Sequence, residues 1–100
     1  MTLTTDYGTY DVHIHRSTYY KPKNLAIMLD YDEGPFATLT VNLEGAHLPA
    51  DCAYVDTNNC PWAEEFIAAY KLGKYLGIHG HSGFCEYPLY RFDLDKIPKG

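Results

Sequence analysis

The amino-acid sequence predicts an α+β domain, with an antiparallel sheet of about four to five strands and one main helix, about residues 61–72, packed on one face. Runs of alternating apolar and polar residues, joined by short turns, recur between residues 9 and 43. One later stretch carries apolar residues at helical spacing. The chain has 100 residues, of which 46% are hydrophobic and 21% charged, so we expect a single compact domain over residues 1–100.

The first predicted strand covers residues 9–19, TYDVHIHRSTY. Its residues alternate with the period of two that is typical of a half-buried strand. Tyr10, Val12 and Ile14 share one face, and Asp11, His13 and His15 share the other. The following YKPKN contains turn residues and ends the strand.

Four further segments predict strands. Residues 25–31 are apolar on both faces, which is typical of a central strand. Residues 36–43 follow the turn DEGP and alternate again, which favours an antiparallel meander. Residues 53–56, AYVD, indicate a short strand, and residues 88–94, PLYRFDL, indicate a final one.

The helix is predicted from the stretch TNNCPWAEEFIAAYKLG. Pro61 suits the first helical position, where its missing N–H costs nothing, and Asn59 or Cys60 would cap the helix. Gly73 is the predicted terminator. The predicted core stripe consists of Trp62, Phe66, Ala69 and Tyr70.

The glycine-rich segment 74–87 contains GIHGHSGFCEY and is read as a loop or as a short hairpin around HGHSG. Phe84 and Cys85 are its expected buried anchors, with His79 and His81 exposed. The run of glycines holds no Lys or Arg and follows a helix instead of opening one. It therefore does not predict a phosphate-binding loop.

The net charge of −5 and the isoelectric point of about 5.3 argue against free nucleic acid as a ligand, because phosphate binding needs a basic patch. The same charge is compatible with a basic protein partner. The three cysteines are an odd count, and the chain has no secretory signal and no apolar stretch long enough to span a bilayer. We therefore expect a soluble protein of the host-cell cytosol with free thiols and no membrane partner.

A metal site is one candidate for chemistry. His79, His81 and Cys85 lie within one short segment, and Cys52 and Cys60 could complete a zinc-like set. No Cys-x-x-Cys pair is present, so we predict no metal and no other cofactor, and the histidine segment stays the minor alternative.

A cysteine nucleophile is a second candidate. Cys60 lies at the predicted start of the helix, where the helix dipole lowers the pKa of a thiol. A histidine of the glycine-rich segment could act as its base and Asp56 could orient that base. The simpler interpretation is a small buried residue at the helix entry, and we favour it, so no catalytic residue is predicted.

A binding surface is the third candidate. Ten tyrosines are too many for the core of a domain this small, so some must be partly exposed. Exposed tyrosines among acidic residues suit a protein partner, although a tyrosine-rich sheet without a partner is the open alternative. The predicted partner-binding residues are turn-proximal acidic and aromatic residues: Asp30, Tyr31, Asp32, Glu33, Tyr19 and Tyr20.

Most of the chain, residues 24–97, carries a family resemblance. The segments AYVDTNNCPWAEEFI, GKYLG and SGFCEYPLYRFDLDKI resemble the signature of a family of small uncharacterised proteins. LAIMLDYDEGPFATLTVNL resembles the N-terminal half of the same family. Its members are encoded by phages, plasmids and conjugative elements, mostly of Gram-positive bacteria and their relatives. The resemblance implies an accessory protein of a mobile element and carries over no catalytic residue.

The mobile-element habitat that the resemblance implies, which the acidic and tyrosine-rich composition permits, predicts a non-enzymatic protein-binding module. It would act as an anti-CRISPR-like, stoichiometric inhibitor of a host defence complex through an acidic, tyrosine-rich face. The expected partner is a host protein or nucleoprotein complex, met by a monomer or homodimer, without direct contact to nucleic acid. The alternative is a small metal- or thiol-dependent enzyme using His79, His81, Cys85 and Cys60. A homodimer that pairs sheet edges is a third hypothesis.

Overall fold

A computed structural model describes residues 1–100. Nine strands, one α-helix and one 3-10 helix follow one another along the chain: β1 Thr2–Thr5, β2 Gly8–Asp11, β3 His13–Thr18, β4 Leu25–Tyr31, β5 Gly34–Thr38, β6 Thr40–Val41, β7 Cys52–Val55, α1 Ala63–Ala69, β8 Gly73–Ser82, β9 Cys85–Phe92 and the 3-10 helix Leu94–Lys96. The α+β class is confirmed. The strand number exceeds the four to five predicted, and the strands form several small sheets.

The strands pair in three antiparallel sheets, in the orders β1-β2, β3-β4-β5 and β6-β7-β9-β8. Leu39 lies between β5 and β6 and links the second sheet to the third. Its N–H donates to the carbonyl of Ile27 at 2.8 Å, and its own carbonyl accepts from the N–H of Asp56 at 2.8 Å. These two hydrogen bonds connect the second sheet to the third, and we call the two connected sheets together the main sheet.

The strand predicted over residues 9–19 is divided at Val12. The residues before Val12 pair with β1, and the residues after it pair with β4. Val12 donates its N–H to the carbonyl of Met1 at 2.8 Å and accepts from the Met1 ammonium group at 3.1 Å. The partner strand β1 is absent from the prediction, because its sequence TLTT offers a single large apolar residue, the buried Leu3.

Helix α1 is shorter than predicted and begins later, at Ala63. Trp62 occupies the N-cap position and no side chain caps the helix, so the expected cap by Asn59 or Cys60 is wrong. Asp56 is the residue that organises this entry: its carboxylate accepts from the backbone N–H of Asn59 at 3.1 Å, which stabilises the turn before the helix.

The helix also ends before Gly73. Lys71 adopts a left-handed backbone with a φ of 53°, which stops the helix two residues ahead of the predicted terminator. Phe66 is buried as predicted, whereas Ala69 is exposed and Ile67 takes its place in the core. The buried residues of the helix are Ala63, Phe66 and Ile67, so its buried face lies slightly around the helix from the predicted stripe.

The glycine-rich segment forms the long hairpin β8–β9, so the hairpin interpretation is confirmed and the loop interpretation is wrong. Gly77, with a φ of 78°, lies where the register shifts, and Gly83, with a φ of 61°, lies in the turn. Phe84 at the tip is fully exposed, which corrects its expected role as a buried anchor. The reason is that Phe84 belongs to the turn and not to either strand face.

Candidate functional site

A groove lies between the β1–β2 hairpin, β5 and the start of α1. It encloses about 640 Å³. We name it the aromatic–acidic groove, and twelve residues line it: Thr4, Thr5, Asp6, Tyr7, Tyr10, Phe36, Ala37, Asn59, Cys60, Pro61, Trp62 and Glu65. The volume is within the range of about 300–1,000 Å³ that is usual for ligand sites.

Aromatic rings form the floor of the groove. Phe36 packs on Tyr10 with ring centroids 4.7 Å apart and on Trp62 with centroids 6.2 Å apart. Tyr31 extends the row, because its centroid lies 6.0 Å from that of Tyr10 and 5.3 Å from that of Phe36. Tyr7 also lines the groove and is 92% exposed. Half-buried and exposed aromatic rings of this kind are typical of interface hot spots.

The charges on the groove are all negative. Asp6 and Glu65 are exposed and line it, and no Lys, Arg or His side chain does. Beside the groove, a hydrogen bond to Glu33 and the charge of that carboxylate raise the pKa of Tyr31. The groove is therefore suited to a cationic group, which both carboxylates and aromatic faces attract.

Two sets of hydrogen bonds hold the N-terminal hairpin in place as one wall of the groove. The hydroxyls of Thr4 and Thr9 lie 3.2 Å apart across the strands, and the N–H of Tyr7 donates to the hydroxyl of Thr5 at 3.1 Å. The Tyr70 hydroxyl donates to the carbonyl of Thr2 at 3.1 Å and accepts from the N–H of Thr2 at 2.6 Å. The hairpin is thereby fixed to the helix that forms the opposite wall.

Four of the six predicted partner-binding residues lie at the groove end of the main sheet. Asp30 and Tyr31 end β4, and Asp32 and Glu33 form the turn to β5. Asp32 and Glu33 are exposed. The Asp30 carboxylate lies 3.0 Å from Nδ1 of His15 on the neighbouring strand β3. It therefore contacts a side chain of its own sheet and is less available to a partner than Asp32 and Glu33.

Tyr19 and Tyr20 lie at the other end of the main sheet, because they precede β4 whereas Asp30 ends it. The seven residues of β4 span roughly 20 Å. Tyr19 is half-buried with its hydroxyl 2.9 Å from that of Thr40, and burial raises its pKa. Tyr20 is 89% exposed. The six predicted residues therefore lie in two groups at opposite ends of the main sheet.

Sequence reasoning missed most of the groove. The sequence pattern predicts Trp62 as part of the core stripe. Glu65 gives no signal as a contact residue, because acidic residues are common near helix starts, where they interact favourably with the helix dipole. Asp6 and Tyr7 directly precede Gly8 in the sequence DYG, which is a turn signal. That signal could have located the hairpin, but nothing local shows that it folds back on the helix.

Cys60 lacks the features of a reactive thiol. It is buried, and its thiol donates to the carbonyl of Thr38 at 3.6 Å. Burial, together with the charge of Asp56, raises the pKa of Cys60 to about 11. Asp56 accepts from the backbone and side chain of Asn59, at 3.1 and 2.9 Å, and so holds no histidine. These surroundings disfavour the thiolate that nucleophilic attack requires.

The histidines and the cysteine of the β8–β9 hairpin do not converge. His79 and His81 share one face of β8, and His81 pairs with Glu86. Cys85 precedes Glu86 on β9 and so faces the other side. The Nδ1 atom of His79 is 3.1 Å from the Tyr75 hydroxyl. No group of three or more His, Cys, Asp and Glu side chains in the chain is arranged to hold a metal ion.

The fold and the groove together define a small α+β protein with a negatively charged, aromatic groove and no assembled set of thiol or metal-ligating groups. The chain belongs to the DUF4313 family, a domain of unknown function that matches residues 13–99. The resemblance to a family of uncharacterised proteins is confirmed to that extent. The match excludes β1 and β2, so Asp6, Tyr7 and Tyr10 lie outside it.

No curated protein and no solved structure matches the chain significantly. None of the helices has the length and apolar character needed to cross a membrane.

Proposed function

We propose that the protein is a non-enzymatic binding module of a phage or mobile element that inhibits a host defence complex, such as a CRISPR effector, in the host cytosol. It places the aromatic–acidic groove against a basic, nucleic-acid-binding surface of the partner. The observation that carries this proposal is the composition of the groove, in which aromatic rings and carboxylates occur together without a basic side chain.

The groove offers a cationic side chain two kinds of attraction. The faces of Trp62 and Tyr7 can accept an arginine guanidinium, a contact that contributes about 0.5–2 kcal/mol depending on its desolvation. Asp6 and Glu65 can then pair with the same cation from the edge of the groove. Arginine-rich surfaces are where nucleic-acid-binding complexes hold phosphates, so an occupant of those arginines competes with the nucleic acid.

The defence complex as partner is supported by the sequence resemblance, which implies a mobile-element habitat. The net charge of −5 supports it as well, because a negative protein approaches a positively charged channel faster than a neutral one.

The test is inhibition of purified CRISPR effector complexes from the host, measured as target-DNA cleavage with increasing amounts of the protein. The informative variant is Asp6→Lys with Glu65→Lys, which reverses the two groove charges. The matched control is Glu44→Lys with Glu86→Lys, which makes the same change in net charge at exposed positions outside the groove.

We expect the wild type and the control to inhibit at near-equal molar amounts, and the groove variant to lose most of its inhibition. Absence of inhibition by the wild type would reject the defence complex as partner. Equal inhibition by the groove variant and the control would reject the groove as the contact surface.

A further inference from the structure

A second cavity lies at the opposite end of α1, between the end of the helix, β8 and the segment after β9. It encloses about 650 Å³. We name it the basic cleft, and ten residues line it: Asp51, Ala68, Lys71, Gly73, Lys74, Leu76, Arg91, Phe92, Asp93 and Lys96. None of these residues belongs to the aromatic–acidic groove, so the basic cleft is separate from the surface of the proposed function.

The cleft concentrates positive charge in an acidic protein. It holds Lys71, Lys74, Arg91 and Lys96, which are four of the eight Lys and Arg residues of the chain. Its two carboxylates leave a local excess of positive charge, although the whole chain has a net charge of −5. A cavity of this sign has a positive potential that attracts anions.

Three of the four basic groups are without a carboxylate partner. Arg91 alone is paired, through Nε at 3.4 Å from Asp51, and the Lys96 ammonium donates to the carbonyl of Lys71 at 3.0 Å. Lys71 and Lys74 form no ion pair at all. The Asp93 carboxylate instead accepts the backbone N–H of Asp95, at 3.2 Å.

The register of β8 and β9 places like charges together. Lys74 is directly opposite Arg91, an arrangement that destabilises an antiparallel pair. Next to it, a Cβ at Gly73 would lie 2.7 Å from the carbonyl oxygen of Arg91, so the two strands approach closely only because residue 73 is glycine. A close approach that brings two cations together is favourable when an anion lies between them.

We propose that the basic cleft binds a small phosphate-bearing anion. Phosphate offers enough acceptor oxygens for several Lys and Arg donors at once, and Lys and Arg are the side chains that proteins use to bind it. The volume of the cleft suits a small molecule. Binding of a long nucleic acid is opposed by the negative charge of the rest of the surface.

The test is a titration of the full chain with sodium pyrophosphate at constant ionic strength, followed by the backbone amide signals in ¹H–¹⁵N NMR spectra. We expect saturable shifts at Gly73, Lys74 and Arg91. Lys74→Glu should weaken binding about tenfold or more, because it removes one charge-assisted contact and adds repulsion. The milder Lys74→Gln should weaken it less.

Lys23→Glu is the matched control, since Lys23 is exposed outside the cleft and the change in net charge is the same. It should leave the affinity within about twofold of the wild type, since distant exposed charges are screened. Thermal unfolding curves establish that each variant folds.

Shifts that do not saturate, or that sodium chloride alone reproduces, would overturn the proposal. So would an equal loss of affinity in Lys23→Glu and Lys74→Glu. If a single-stranded oligothymidylate binds more tightly than pyrophosphate, the ligand of the cleft is nucleic acid and the proposal of a small anion is wrong. None of these outcomes depends on inhibition of a defence complex.

Discussion

The rings of Tyr10 and Phe36 pack with centroids 4.7 Å apart, and this contact joins the N-terminal hairpin to β5. Phe36 also contacts Tyr31 and Trp62, so a single half-buried ring connects β2, β4, β5 and the start of α1. The contact has consequences for both stability and the shape of the groove, because three other aromatic rings pack against Phe36.

Replacing Phe36 by alanine should therefore lower the free energy of unfolding by about 2 kcal/mol, since a half-buried ring with three aromatic neighbours is lost. Urea denaturation measures the change. Phe84→Ala is the same substitution at a fully exposed position and should change the free energy by no more than about 0.5 kcal/mol. Equal effects of the two substitutions would show that the aromatic row does not contribute to stability.

The turn between β4 and β5 should contribute to partner binding less than the groove does. Asp32→Lys with Glu33→Lys reverses two exposed charges beside Tyr31, whereas Asp30 is left unchanged because its carboxylate lies near His15. We expect an affinity loss of about three- to tenfold for the purified partner, since rim charges are partly screened. Surface plasmon resonance at two salt concentrations measures it. If this variant loses more affinity than the variant with Asp6→Lys and Glu65→Lys, the main contact surface is the turn and not the groove.

Two glycines of β8 should respond differently to alanine. The Cβ of Gly73→Ala would meet a backbone oxygen, that of Arg91, at 2.7 Å, so the strands must separate. The Cβ of Gly80→Ala would meet the side chains of Leu43 and Tyr54 at 2.6 Å, which can move. We expect a destabilisation of about 2–3 kcal/mol for Gly73→Ala and a smaller one for Gly80→Ala. Thermal unfolding of both variants checks the order, and the reverse order would contradict this reading of the strand contact.

The raised pKa of Cys60 predicts a loss of stability at high pH. The folded protein holds the thiol proton up to about pH 11, whereas the unfolded chain releases it near the ordinary value of 9.0. Stability from this group is therefore fully present below pH 9 and is lost as the pH rises towards 11, by a total on the order of 1–3 kcal/mol. Denaturation of wild type and Cys60→Ala at several pH values measures it. The difference between the two proteins should shrink over this range, and a difference that stays constant would refute the assignment.

Local pattern was sufficient to locate the strands whose residues follow one clear run. The apolar run of residues 25–31 is β4, and the alternating run of residues 36–43 contains most of β5 and all of β6, with a break at Leu39. It was insufficient at Val12, where one continuous alternating run changes partner. A change of partner is decided by tertiary contacts and leaves the period of two intact, so the sequence pattern has no sign of it.

The candidate site was predicted less well, for a geometric reason. Tyr19 and Asp30 are only eleven residues apart, but they flank two different turns at opposite ends of β4. Tyr7 and Trp62 are fifty-five residues apart and line one groove. Closeness along the chain therefore gave a wrong indication for Tyr19 and Asp30. For Tyr7 and Trp62, the composition of the chain does not show that the N-terminal hairpin packs against α1.

The two ends of helix α1 carry cavities of opposite sign, with carboxylates at the start and ammonium and guanidinium groups beyond the end. A charge separation of this kind gives the molecule an electric dipole moment. In the field of a highly charged partner the molecule experiences a torque as well as an attraction, so it turns its acidic end towards a basic surface before the two touch. This orientation takes place over distances comparable to the Debye length, about 8 Å at physiological ionic strength, and it weakens as salt is added.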